Sequence, residues 1–277
     1  MQQYNKVENI DTKDNKVIFG TKRDVLYFLL LIIPLSAPFY LLNLIRVRLL
    51  PFNLPTSALM ILVPLGLAIY AVWKNTNAYK LKDFFRAIVD YNRAEKRFSL
   101  VLSFLFMPLV YLIAVIIKDP NSISQIFRAE SSILIYLAGF LLFFLGAIIE
   151  ELAWTTYATP VLQESYGILK TGFIIGLVWG LWHLAPYIMQ GWDGWSILFL
   201  VTNSVAYRII MGYLYKYSDG ATTSALLFHT MINFIPELLP DGYNAFDFST
   251  LAILLWISVV VCCLVHYIIF RINFLNK

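Results

Sequence analysis

Charge is what this 277-residue chain has least of. Asp, Glu, Lys and Arg together make up 14% of it, against 60% hydrophobic residues. An average soluble domain carries about 25% charged residues. The shortage excludes an ordinary soluble globular domain, because too few charged side chains remain to cover its surface. Cysteine is nearly absent as well. The only two, Cys262 and Cys263, are adjacent inside an apolar run. Neighbouring helix positions point about 100° apart, so a disulfide between them is not expected and no disulfide scaffold is available. They read as small core or lipid-facing residues. The formal charge of +4 is too small to suggest a nucleic-acid partner and reads as membrane topology. Low-complexity tracts and convincing internal repeats are missing too.

What the chain has instead is a succession of apolar runs of membrane length. Eight are predicted, at about 25–45, 56–73, 98–117, 132–150, 171–189, 195–215, 221–239 and 249–270. The expected fold class is therefore all-α: a polytopic membrane protein of about eight transmembrane helices around a polar intramembrane cavity. Residues 1–24 are polar and mixed in sign, and no apolar segment with a small-residue cleavage site follows them, so no cleaved signal peptide is expected. The organisation is thus a cytoplasmic N-terminal arm (1–24) and a single transmembrane domain (25–277).

The basic residues set the expected orientation. With the N-terminus inside, sixteen Lys and Arg fall on cytoplasmic segments, twelve of them in the arm and the loop 74–97. Arg46, Arg48, Lys118 and Arg128 fall outside, and Arg208 lies within a span. That bias predicts a multi-pass plasma-membrane protein with both termini cytoplasmic. Within the loop 74–97, Leu81, Phe84, Phe85, Ile88 and Val89 have helical spacing among charges, as in a helix lying on the inner membrane surface.

Few strongly polar side chains remain inside the spans: Glu150, Glu151, His183, Asn203, Arg208, His229, Asn233, Glu237 and His266. Each ionised group at mid-bilayer costs roughly 2.5–3.5 kcal/mol on insertion scales, so such residues face a protein interior or a wet cavity. His229 and Asn233 are four apart, on one helix face. His183 follows Trp179 by one turn, beside a ridge of Gly172, Gly176 and Gly180 that suits close helix packing. A carboxylate, two imidazoles and an amide suit amide hydrolysis: the carboxylate takes a proton from water, and the donors stabilise an oxyanion. The same groups could bind zinc through Glu150, His183 and His229, although the spacing is not that of a helical H-E-x-x-H site. Arg208 has two readings, snorkelling to the interface or pairing with Glu151. Asn203 reads as helix-packing glue, Glu237 as facing the outer interface, and His266 as interfacial.

The order "EELAWTTY", "WGLWH", "HTMIN" over residues 150–233 resembles the CPBP family. These are the CAAX-processing and bacteriocin-processing (Abi) intramembrane proteases, related to the Ras-converting CAAX endopeptidases. The resemblance covers about residues 130–240. It implies Glu150 as the base that activates water, His183 as a second ligand of that water, and His229 with Asn233 as oxyanion stabilisers, with Glu151 in support. It also implies an arginine where this chain has Thr155, so Glu151 lacks a cation on its own helix.

The expected function is an intramembrane endopeptidase acting on a membrane-associated peptide or protein, of CAAX type or a peptide precursor, within the lipid bilayer. No cofactor is expected, with zinc as the alternative. The alternative function is a weakened or inactive member serving as a bacteriocin immunity or membrane regulatory protein, and a proton-relaying transporter is a third. Usage of Ile, Asn and Lys points to an AT-rich bacterial genome. The site is expected in a cavity reaching inward from the cytoplasmic face, with the glutamates at the cytoplasmic end of the fourth span.

Overall fold

The computed structural model describes residues 18–45, 55–75, 78–89, 97–122, 132–239 and 241–275. Most of the N-terminal arm, Arg46, Arg48, Arg128 and parts of the loop 74–97 lie outside the described residues.

Helix α1 (Lys22–Leu44) starts at a capping box in which Thr21 and Asp24 satisfy each other's backbone N–H groups. A 3₁₀ turn (Thr56–Ile61) leads into α2 (Leu62–Asn75), whose last residue donates to Asp24 at 3.0 Å. That bond ties the end of α2 to the start of α1. Helix α3 (Ala78–Arg86), extended by a 3₁₀ turn (Ala87–Val89), sits at the same end of the bundle. Its Phe84 and Ile88 are buried, Phe84 packing edge-on to Phe19 at 5.4 Å, while Phe85 and Val89 are exposed. The amphipathic spacing read from the loop 74–97 is therefore helical over 78–89.

Helix α4 (Arg97–Lys118) is followed by α5 (Ile133–Glu151), a π-helical stretch (Leu152–Ala158) and α6 (Thr159–Trp182). Inside α6, Gly167 has φ +74° and ψ 176°, a conformation L side chains rarely adopt, and there the rod breaks direction. After His183 come the short α7 (Leu184–Met189), α8 (Gly194–Tyr217), α9 (Thr222–Glu237) and α10 (Phe248–Leu275). No strand occurs among the described residues.

Helix is found at each of the eight predicted ranges. By length and composition, six helical stretches among the described residues could cross a membrane: Lys22–Leu44, Thr56–Asn75, Phe98–Lys118, Ile133–Met189, Gly194–Tyr217 and Phe248–Leu275. Two predicted spans fall within the 57 residues of Ile133–Met189, on either side of the break at Gly167. The 221–239 span is the 16-residue α9, short but largely buried. Leu30, Leu134, Val260 and Phe270 are exposed on the outer faces of α1, α5 and α10. An apolar periphery around a polar centre is the arrangement expected of a chain whose solvent is lipid.

The glycine ridge does what its spacing implies. A Cβ on Gly176 would lie 2.5 Å from the Val205 Cα, and one on Gly172 would lie 2.6 Å from the Ile209 Cα. Backbones of α6 and α8 therefore approach more closely than any side chain on the ridge would permit. The buried stretch Asn203–Tyr215 of α8 is thereby pressed against the helix that carries Trp179 and His183. The two cysteines are free; Cys263 accepts from the Tyr213 hydroxyl at 3.4 Å.

Candidate functional site

Glu150 and Glu151 are not at the end of their rod. The helix runs on through the π-helical stretch, and every residue from Leu152 to Leu162 is buried. Trp154 packs edge-on to Phe28 at 5.5 Å and against Trp182 at 5.9 Å, and Thr156 hydrogen-bonds Thr222 at the start of α9 at 2.9 Å. Tyr157 lies against Gly20 and Phe28, at the end of the bundle that α3 occupies. This segment is a floor, and it closes the site on that side.

The polar cavity opens the other way. It has a volume of about 240 Å³, and Glu150, His183, His229 and Asn233 all line it, with Tyr111, Tyr187 and Tyr207. It extends to Gln190, Trp192 and Tyr243, in the connections after α7 and α9, and to Phe248 at the start of α10. A second cavity of about 430 Å³, lined by Lys118, Asp193 and Asp247 among others, shares Trp192, Tyr243 and Phe248 with the first. The α3 end is identified by Thr223, at the start of α9, donating to the Ile88 carbonyl at 3.0 Å. The expectation of a cavity reached from the face that bears the basic loop is thus corrected. The physical reason is the floor: a helix expected to stop at Glu150 continues, and its buried aromatics fill the space.

Trp179 organises the chamber. Its indole N–H donates to Glu150 Oε2 at 2.8 Å, and its ring stands edge-on to His183 at 5.3 Å and to His229 at 5.2 Å. One carboxylate and two imidazoles from three separate rods thus contact one indole. His183 caps α6, its backbone N–H donating into the last turn, and its Nδ1 lies 2.8 Å from the Trp179 carbonyl. A carbonyl only accepts, so Nδ1 carries the proton and Nε2 is left with its lone pair. His183 also stacks on Tyr187 at 5.8 Å.

Glu151 is fully buried, does not line the cavity, and has its two oxygens divided among three partners. Oε1 lies 2.7 Å from His229 Nδ1, and Oε2 accepts from Arg208 Nη1 at 2.8 Å and from the Thr155 hydroxyl. The carboxylate requires a proton on His229 Nδ1 and so orients that ring. Of the two readings of Arg208, pairing with Glu151 is the one observed. Its guanidinium also lies over the Trp179 ring at 4.2 Å.

Other polar residues fall outside this cluster. Asn203 is fully buried, but both of its amide atoms lack a hydrogen-bond partner among the described residues, so it does not glue helices through that amide. Glu237 is exposed. His266 shares a hydrogen bond with the Tyr217 hydroxyl at 2.8 Å, away from the cavity. Among the described residues no three His, Cys, Asp or Glu side chains are grouped so as to hold a metal ion.

Sequence reasoning did not assign Trp179 to Glu150, nor the three tyrosines to the cavity wall. Trp179 carried a signal, its place one turn before His183 on the same face. The tyrosines carried none, because aromatics are common at membrane interfaces for another reason.

Residues 132–235 match the family model described as Type II CAAX prenyl endopeptidase Rce1-like. The chain is also 26% identical over 191 residues to the CAAX prenyl protease 2 of Methanococcus maripaludis, an overlap of 65% of this chain and 70% of that protein. Glu150, Glu151, His183, Arg208, His229 and Asn233 all lie within the residues that match the family model.

Proposed function

We propose, from the assignment to the CAAX protease (CPBP) family that these two matches support, that this protein is an intramembrane endopeptidase in which Glu150 activates a water molecule. The observation that carries the reading is the shared cavity: Glu150, His183, His229 and Asn233 come from three rods and line one chamber.

The chemistry follows from the hydrogen bonds. Glu150 keeps one oxygen on the Trp179 N–H, which leaves the other to accept a proton from water. His183, protonated at Nδ1, offers the Nε2 lone pair as the second acceptor for that water. The water then attacks the scissile carbonyl, and Glu150 carries its proton to the leaving amine. His229 is held at Nδ1 by Glu151, so Nε2 is the atom free to serve the cavity. With both nitrogens protonated, Nε2–H donates to the oxyanion beside the Asn233 amide.

A chamber of about 240 Å³ holds several waters or a short piece of extended peptide. Its substrate is a peptide bond of a membrane-associated chain, of CAAX type or from a peptide precursor. The reading as an inactive immunity or regulatory protein drew its support from Thr155; Arg208 supplies Glu151 with a cation from another helix, and that support is weakened.

The test is Glu150→Gln, which is nearly isosteric. Peptide ends in membranes from cells carrying wild-type or variant protein are compared by mass spectrometry. Loss of a defined set of cleavages in the variant is expected, with wild-type cleavage unaffected by a chelator. Identical peptide ends in both would remove the general-base role.

A further inference from the structure

We propose that Arg208 is a positioning residue of this site: stacked on the Trp179 indole and paired with Glu151, its guanidinium holds both the N–H that Glu150 accepts and the carboxylate that orients His229. The inference rests on the endopeptidase reading and adds to it a residue for which the sequence left two readings open, snorkelling and pairing with Glu151.

The geometry is that of one cation touching both arms of the machinery. On one side, Arg208 Nη1 donates to Glu151 Oε2 at 2.8 Å, and Glu151 Oε1 meets His229 Nδ1 at 2.7 Å. On the other, the guanidinium carbon lies 4.2 Å from the centre of the Trp179 ring, and that indole donates to Glu150 at 2.8 Å. Arg208 is 4% exposed, and its Nε and Nη2 have no hydrogen-bond partner among the described residues. A cation buried there gains from the Trp179 ring face, from the Trp154 ring at 5.5 Å and from the carboxylate. Arg208 does not line the cavity, so it acts through its neighbours and not on substrate. Among the described residues, Glu151 has no other Lys or Arg within ion-pair distance.

Thr155 fits the same picture. Its hydroxyl donates to Oε2, the oxygen that Arg208 also engages. A short side chain here leaves that oxygen accessible to the guanidinium of α8. The glycine ridge brings α8 close enough for it to arrive. The cation that meets Glu151 thus comes from α8, and position 155 and position 208 contact the same atom.

Because both positions meet at one oxygen, exchange is the test. Arg208→Gln, Arg208→Lys, Arg208→Thr, Thr155→Arg and the double exchange Thr155→Arg with Arg208→Thr are compared for peptide-bond cleavage and for thermal unfolding of the full chain in detergent. Arg208→Gln and Arg208→Thr are expected to lower kcat roughly 10–100-fold with little change in KM. Arg208→Lys keeps the charge but not the planar stack, and recovers part of that loss. Thr155→Arg alone crowds two guanidinium groups onto one carboxylate and lowers the unfolding temperature. The double exchange recovers both kcat and the unfolding temperature relative to Arg208→Thr.

The proposal is overturned if Arg208→Gln cleaves as wild type does, if Arg208→Lys is no better than Arg208→Gln, or if a folded double exchange recovers nothing. A failure of the underlying reading looks different: wild type and Glu150→Gln then cleave alike. In that event recovery of the unfolding temperature in the exchange still decides whether the cation can move between the two helices.

Discussion

The Trp179 indole N–H and the Glu150 carboxylate share a hydrogen bond of 2.8 Å across two helices. That bond occupies one oxygen of the proposed base and fixes the direction of the other. Trp179→Phe keeps an aromatic ring against His183 and His229 and deletes only the donor. A hydrogen bond to a charged group contributes roughly 1.5–3 kcal/mol. The variant should therefore lose about 10–100-fold in kcat, with an unfolding temperature close to wild type. A steady-state rate measurement on purified protein checks it; an unaltered kcat would show that Glu150 needs no fixed orientation.

The second prediction concerns the ridge. Gly176→Ala sets a methyl group 2.5 Å from the Val205 Cα, backbone that cannot yield without moving α8. Overpacking of this kind costs about 1–3 kcal/mol, and here it also pulls Arg208 away from Glu151. Both the unfolding temperature and the cleavage rate should fall. Gly139→Ala is the control, because a Cβ there meets nothing within 4 Å, and it should leave both unchanged. Thermal unfolding of the two variants side by side is the measurement.

Asn203 supplies a prediction of the opposite sign. It is fully buried with both amide atoms unpartnered among the described residues, so its polar group costs stability without return. Asn203→Leu, which keeps the branch at Cγ without the polar atoms, should raise stability by about 1 kcal/mol and leave cleavage intact. A lowered unfolding temperature would mean that the amide has a partner in the folded state.

The cluster at Glu151 shows where reading the sequence stopped. Each member was visible as a polar residue with no energetic reason to lie in lipid. Spacing put His229 and Asn233 on one helix face, and the resemblance to the CPBP motifs joined Glu150 and His183 to them. The partner of Arg208 could not be read in the same way, since snorkelling and pairing both satisfy a cation on a membrane helix. The choice depends on how far α8 is from α6, which three glycines set through backbone contact. Asn203 was misjudged for a related reason: a buried amide normally finds a partner, and no local pattern reveals one that does not.

The direction of the cavity was lost at Leu152. A hydropathy run ends at Glu151, and the charge there reads as a membrane boundary. Helix nevertheless continues, because Trp154 and Tyr157 pack on Phe28 of α1 and Trp154 also on Trp182 at the end of α6, partners distant in the chain.

Hydropathy is local, so the order of residues alone determined the membrane class, the positions of the helices and the short roster of polar groups that must share an interior. Burial of an unpartnered charge is too costly for those residues to be anywhere else. Which of them touch, which end of the bundle the cavity faces and which cation meets Glu151 were decided by tertiary structure alone, because each depends on distances between helices set by packing between residues far apart in sequence.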